Sequence, residues 1–207
     1  MKISDVQLDT LKEIINIGVG KSASSLNRIV NKRISLQVPT VDIVEYNQVK
    51  YKLARHVNTD LSVIKMSFSG DLTGLCELVF PTEGATNIVH ILTDDHVSES
   101  IMDDQFKINT LSEIGNMILN ALVGTIGNLL KTRLRYSLPK YFECTPENIT
   151  DNISTNSKWV IYAETLFGII DEDITGSFIL FLEVESFENL LNMLTEYLNN
   201  LGMKTSV

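Results

Sequence analysis

A chain of 207 residues with 44% hydrophobic side chains and a net charge of −9 can bury its own core without covalent staples. Its acidic balance argues against a nucleic-acid partner, which needs a basic face. The longest apolar runs, such as Trp159 to Tyr162 and Phe178 to Leu182, are far below the ~18 residues of a membrane span. The opening MKISDVQLD lacks the apolar stretch of a secretion signal. Cys76 and Cys144 stand in no pairing motif, which points to a reduced, cytoplasmic protein with no membrane attachment. The acidity itself fits either plain solvation or a basic patch on a protein partner.

The first predicted element is a long helix from residue 4 to about 30. Ser4 and Gln7 have capping-box spacing, and Val6, Leu8, Leu11, Ile14, Ile15 and Val19 recur at helical intervals. A strand follows from Ser35 to Tyr46. Then comes a hairpin: Leu61 to Phe68, a turn at Ser69-Gly70-Asp71, and Leu72 to Phe80. A short amphipathic helix, Thr82 to Leu92, closes this half.

The series then repeats. A second long helix runs from 104 to about 131, with Asp104 as its expected cap and Phe106, Ile108, Leu111, Ile114, Ile118, Leu119 and Leu122 as its apolar stripe. A weaker strand, Lys140 to Cys144, precedes a hairpin of Lys158 to Ile170 and Ile174 to Leu182 about a turn at Asp171-Glu172-Asp173. Ser186 to Asn200 is the last helix. The polar stretch Thr145 to Ser157 reads as a loop, and Gly202 to Val207 as a frayed tail. The predicted class is α+β with a pseudo-twofold internal repeat. Two long helices and further helices should cover one face of a continuous, mainly antiparallel sheet. The chain is expected to be one domain, 1–207, in halves of about 1–100 and 101–207.

The repeat carries chemistry. The first half reads Asp9-x3-Glu13-x2-Asn16, then 22 residues, then Pro39. The second reads Asn109-x3-Glu113-x2-Asn116, then 22 residues, then Pro139. Residues three and four apart share a helix face, so each Glu and Asn point the same way. Asn in mid-helix costs about 0.6 kcal/mol against Ala, and Gly18, Gly20 and Gly115 up to ~1 kcal/mol each. Local losses accepted twice point to function, although close helix packing would also account for the glycines. Pro39 and Pro139 should start a strand or lie on an edge, because proline cannot donate to a sheet ladder.

Other chemistry is weakly represented. His56, His90 and His96 lie apart, with no zinc spacing. Gly18-Val-Gly20-Lys21-Ser22 imitates a phosphate loop, but position 15 is Ile and no strand precedes it. Asp171-x-Asp173-x-Thr175-Gly176 imitates a calcium loop, but its twelfth position is Leu182. No cofactor or metal of the chain's own is expected. Asn has no useful pKa and cannot act as a base. Its amide can hold a water in line with phosphorus, and phosphoryl transfer depends mainly on such positioning. Glu can anchor a Lys or Arg of a protein substrate.

The doubled (Asp or Ser)-x3-Glu-x2-Asn-x22-Pro pattern resembles the CheC/CheX/FliY chemotaxis phosphatases, and the two-copy form of this length looks most like the CheC branch. The resemblance implies hydrolysis of the phospho-aspartate of the response regulator CheY. Asn16 and Asn116 would orient the attacking water, and Glu13 and Glu113 would pair with a lysine of the regulator. Asp9, Asn109, Pro39 and Pro139 would be supporting positions, and the Mg2+ would belong to CheY. The receptor deamidase CheD is a further implied partner, and the chain is expected to be a monomer. Asn109 departs from the pattern: it keeps the size of Asp9 and loses its charge. Three rivals stay open: an adaptor that binds phosphorylated CheY or CheD without hydrolysis, a flagellar-switch component, and an acidic repeat domain without activity.

Overall fold

Apolar residues at helical intervals build two helices of 26 residues, α1 (Asp5–Val30) and α4 (Asp104–Leu129). The computed structural model describes residues 3–30, 34–56, 59–93, 103–150, 158–169 and 172–202. His96, the turn residue Asp171, most of the polar loop and residues 203–207 lie outside them. The remaining helices are α2 (Val49–His56), α3 (Thr82–Thr93) and α5 (Val184–Asn200). The strands are β1 (Ile34–Glu45), β2 (Leu61–Gly70), β3 (Gly74–Pro81), β4 (Leu134–Tyr136), β5 (Lys140–Cys144), β6 (Trp159–Ile169) and β7 (Glu172–Leu182). Single 3-10 turns stand at Tyr46–Gln48 and Pro146–Asn148.

The α1 start is the expected capping box. The Ser4 amide donates to Gln7 Oε1 at 2.9 Å, and the Gln7 amide donates to Ser4 Oγ at 3.3 Å. The α4 cap falls one residue earlier than expected. Asp103, in an extended conformation, accepts from the Phe106 amide at 2.8 Å, and Asp104 opens the first turn. Asp104 there still favours the positive helix terminus.

The seven strands form one antiparallel sheet in the order β1-β6-β7-β3-β2-β4, with β5 also paired to β2. The edge strands are exchanged between the sequence halves. β1 from the first half pairs β6, while β4 and β5 from the second pair β2. Both edges slip in register beside the matched prolines. On β1 the slip lies between Gln37 and Thr40, around Pro39. On the other edge, Phe68 pairs Tyr136 but Lys65 pairs Lys140, so one extra residue bulges around Pro139. Prolines on bulged edges cost the ladder nothing, since no neighbour needs their missing N–H. Gly70 turns out of β2 with φ +138°, where an added Cβ would stand 2.1 Å from Arg133 O.

Helices α1, α3, α4 and α5 bury their apolar stripes on one sheet face, against Ile64, Met66, Leu78, Phe80, Phe178 and Leu180. The opposite face is covered as well, which departs from the one-sided expectation. Val49 and Leu53 of α2, with Ile149 beyond the second 3-10 turn, pack on Val63, Val79, Tyr162, Ile179 and Phe181. Burial on both faces explains why β2 buries Leu61 to Ile64 in succession and β3 buries Leu75 to Phe80. Such strands read as continuous apolar runs rather than alternations. Glu77 stands on β3 within the second face and is fully buried. Neither carboxylate oxygen has a hydrogen-bond partner among the described residues, and burial raises its pKa to about 8, opposed by the charge of Lys65 across the strand pair.

Candidate functional site

The α1 residues Leu11, Ile14, Ile15 and Val19 are buried, so the intervening positions must face outward. Asp9 and Glu13 are exposed and Asn16 is half-buried. On α4, Leu111, Ile114, Ile118 and Leu119 are buried. Asn109 and Glu113 are exposed and Asn116 is half-buried. Each Glu–Asn pair therefore lies on an open helix face, one turn apart. Gln7 ties the start of α1 to α5: its Nε2 donates to Leu191 O at 3.1 Å and to Thr195 Oγ1 at 3.0 Å.

The two helices cross antiparallel. Gly18 faces Leu122, and Ser22 faces Ile118. An added Cβ on Gly18 would stand 2.8 Å from Leu122 Cδ1 and 3.1 Å from its Cα. Ser22 Oγ lies 3.0 Å from Gly18 O and 3.2 Å from Ile118 O, so a buried hydroxyl bridges the crossing. The crossing falls near residues 20 and 120, and each Glu–Asn pair sits about five residues N-terminal of it. Antiparallel packing then carries the pairs to opposite ends, about 16 Å apart along the axis at 1.5 Å per residue. The structure brings each Glu to its own Asn and keeps the two pairs apart.

The glycines separate into two kinds. Gly18 meets Leu122, and a Cβ on Gly115 would stand 2.4 Å from Ile64 Cγ2. Both serve close packing and carry no functional signal. At Gly20 an added Cβ would meet nothing within 4 Å, so of these three glycines it alone lacks a packing reason.

The faces differ in charge and in hydrogen bonding. On α1, Asp5, Asp9 and Glu13 put three exposed carboxylates at intervals of four. Gln105, Asn109 and Glu113 hold the matching places on α4 with one. Gln105 Nε2 donates to Asn109 Oδ1 at 2.9 Å. Asn120 Nδ2 donates to Asn116 Oδ1 at 2.7 Å. The residue matching Asn120 on α1 is Gly20, so Asn16 has no such donor. Doubled spacing does not mark Asn120 and Gln105. Their signal was the mismatch itself, Asn against Gly and Gln against Asp, inside two otherwise matching copies.

Among the described residues no three or more His, Cys, Asp or Glu converge to hold a metal. The α1 carboxylates are strung along about 12 Å of helix, too extended for one ion. Among those residues, too, no helix is long and apolar enough to cross a membrane.

Comparison with known proteins agrees with this architecture. The CheC-like family model matches residues 6–43, the segment holding Asp9, Glu13, Asn16 and Pro39. The chain is 26% identical over 140 residues to the CheY-P phosphatase CheC of Bacillus subtilis, a match spanning 67% of this chain and 66% of that protein. FliY of Thermotoga maritima superposes with a TM-score of 0.75 at 20% identity, over 97% of this chain and 99% of that one. The FliM middle domain of H. pylori superposes at 0.66 with 15% identity, over 92% and 99%. These findings bear out the resemblance to the CheC/CheX/FliY proteins and the mixed helix and antiparallel-sheet fold. The fold is shared by proteins with different names, so function has to be argued from the site.

Proposed function

We propose that this relative of the CheC-like proteins is a chemotaxis phosphatase that hydrolyses the phospho-aspartate of the response regulator CheY. The observation that carries this reading is the pair of open Glu–Asn faces, each with an exposed carboxylate and a half-buried carboxamide. Burial of both pairs in the core would have ruled it out.

On this reading Glu13 or Glu113 anchors a lysine of the regulator, and Asn16 or Asn116 reaches the phosphorylated aspartate. The amide holds a water in line with phosphorus. Water oxygen bonds to phosphorus, the bond to the aspartyl oxygen breaks, and the carboxylate and inorganic phosphate are released. A neutral amide suffices because positioning supplies most of the effect. The Mg2+ that offsets phosphoryl charge belongs to CheY. We read residues 1–207 as one domain built from a duplicated unit with exchanged edge strands, acting as a monomer, with CheD as a second partner.

The test is phosphate release from phosphorylated CheY. Wild-type protein should accelerate it, and the double variant Asn16→Ala with Asn116→Ala should remove the acceleration. A double variant as fast as wild type refutes the site. Three carboxylates at positions 5, 9 and 13 against one at the matching positions 105, 109 and 113 also predict unequal salt sensitivity. The site left in Asn116→Ala should lose activity more steeply with added NaCl than the site left in Asn16→Ala. Equal slopes would remove the steering role of Asp5 and Asp9.

A further inference from the structure

We propose that Asn120 is a positioning residue of the second site: it holds the Asn116 carboxamide in its working orientation, a device the first site lacks. The inference rests on the phosphatase reading of Asn116. A free Asn side chain turns readily about its last torsion, which is broad and roughly two-fold, so amide oxygen and nitrogen exchange places at little cost. Asn120, one helical turn on, restrains that torsion by tying the amide to a second side chain. Its Nδ2 donates to Asn116 Oδ1 at 2.7 Å in a partly buried setting. This turns the oxygen toward Asn120 and leaves both Nδ2 protons and one lone pair of Oδ1 for the incoming phosphoryl group and its water. The orientation is set before the regulator arrives, so less rotamer freedom is lost on reaching the transition state.

The first site provides an internal control. Gly20 takes the place of Asn120, and its vicinity is open enough for a side chain: a Cβ there meets nothing within 4 Å. The sites thus share the water-holding amide and differ in the group that orients it.

The experiment measures steady-state hydrolysis of phosphorylated CheY in single-site backgrounds. In Asn16→Ala, adding Asn120→Ala should lower kcat by about 3- to 10-fold, the scale of one neutral hydrogen bond, with KM unchanged. Asn120→Asp should lower it further. A carboxylate only accepts, so it would draw Nδ2 of Asn116 inward and reverse the amide. In Asn116→Ala, adding Gly20→Asn should raise kcat of the first site by a similar factor. That variant replaces a helical glycine by a better helix former, so it carries the test even if Asn120→Ala fails to fold. The Asn120 side-chain amide NMR signal should also shift in Asn116→Ala, a readout independent of turnover. An unchanged kcat in both backgrounds, a loss confined to KM, or Asn120→Asp matching the parent overturns the proposal. If Asn16→Ala with Asn116→Ala keeps full activity, the phosphatase reading of the site fails instead.

Discussion

Glu77 is an ionisable side chain placed where ionisation is costly. It is fully buried on the second sheet face, and desolvation raises its pKa to about 8, with Lys65 pulling the other way. The folded state therefore keeps a proton that the unfolded chain releases near pH 4.5. Where the unfolded state binds fewer protons, stability falls as pH rises. The contribution of Glu77 to fold stability should decline from about pH 4.5 and level off above about pH 8. Glu77→Gln removes the titrating group while keeping its shape. Thermal melting across that range should show a flatter profile for the variant and a Tm above wild type at pH 8. A Glu77→Gln profile that falls as steeply as wild type between pH 5 and 8, or a variant melting below wild type at pH 8, would contradict this role of Glu77. The same residue shows what periodicity does not reveal. Glu77 sits between Cys76 and Leu78 in a strand that reads as apolar, and its isolation depends on α2 and the turn at Pro146–Asn148 closing over the far face.

At the scale of elements, the glycines of the long helices give opposed predictions. Gly115→Ala forces a Cβ to 2.4 Å from Ile64, a fully buried side chain. Overpacking of this kind costs about 1–3 kcal/mol. Gly20→Ala meets open space and should stabilise by up to ~1 kcal/mol. Urea unfolding of the two variants should move the midpoint in opposite directions, and a shift of the same sign would contradict the packing account. Both long helices, both hairpins and β5 were legible because each carries a full apolar period or a turn. β4, three mostly exposed residues, carries no period. α2 offers only Val49 and Leu53 across eight residues, too little to separate a helix from a loop. The edge positions of Pro39 and Pro139 followed from proline chemistry. The exchange of edge strands did not, because pairing partners far apart in sequence leave no local mark. At the candidate site, doubled spacing singles out Glu13, Asn16, Glu113 and Asn116; it discards what differs between the copies, so it does not mark Asn120.

For the whole molecule, the antiparallel crossing of α1 and α4 has the largest consequence. Anchored by Gly18, Ser22, Ile118 and Leu122, it sets the two open faces toward opposite ends of one packed helix pair. FliY and a FliM middle domain share the architecture, so the frame by itself does not separate a catalyst from a stoichiometric binder. Turnover separates them. The deciding measurement is phosphate release from phosphorylated CheY in a hundred-fold excess with Mg2+ present. Each chain should release many phosphates, at a rate proportional to chain concentration and lost in Asn16→Ala with Asn116→Ala. Release that stops at one or two phosphates per chain, or protection of the phospho-aspartate, would contradict the phosphatase reading.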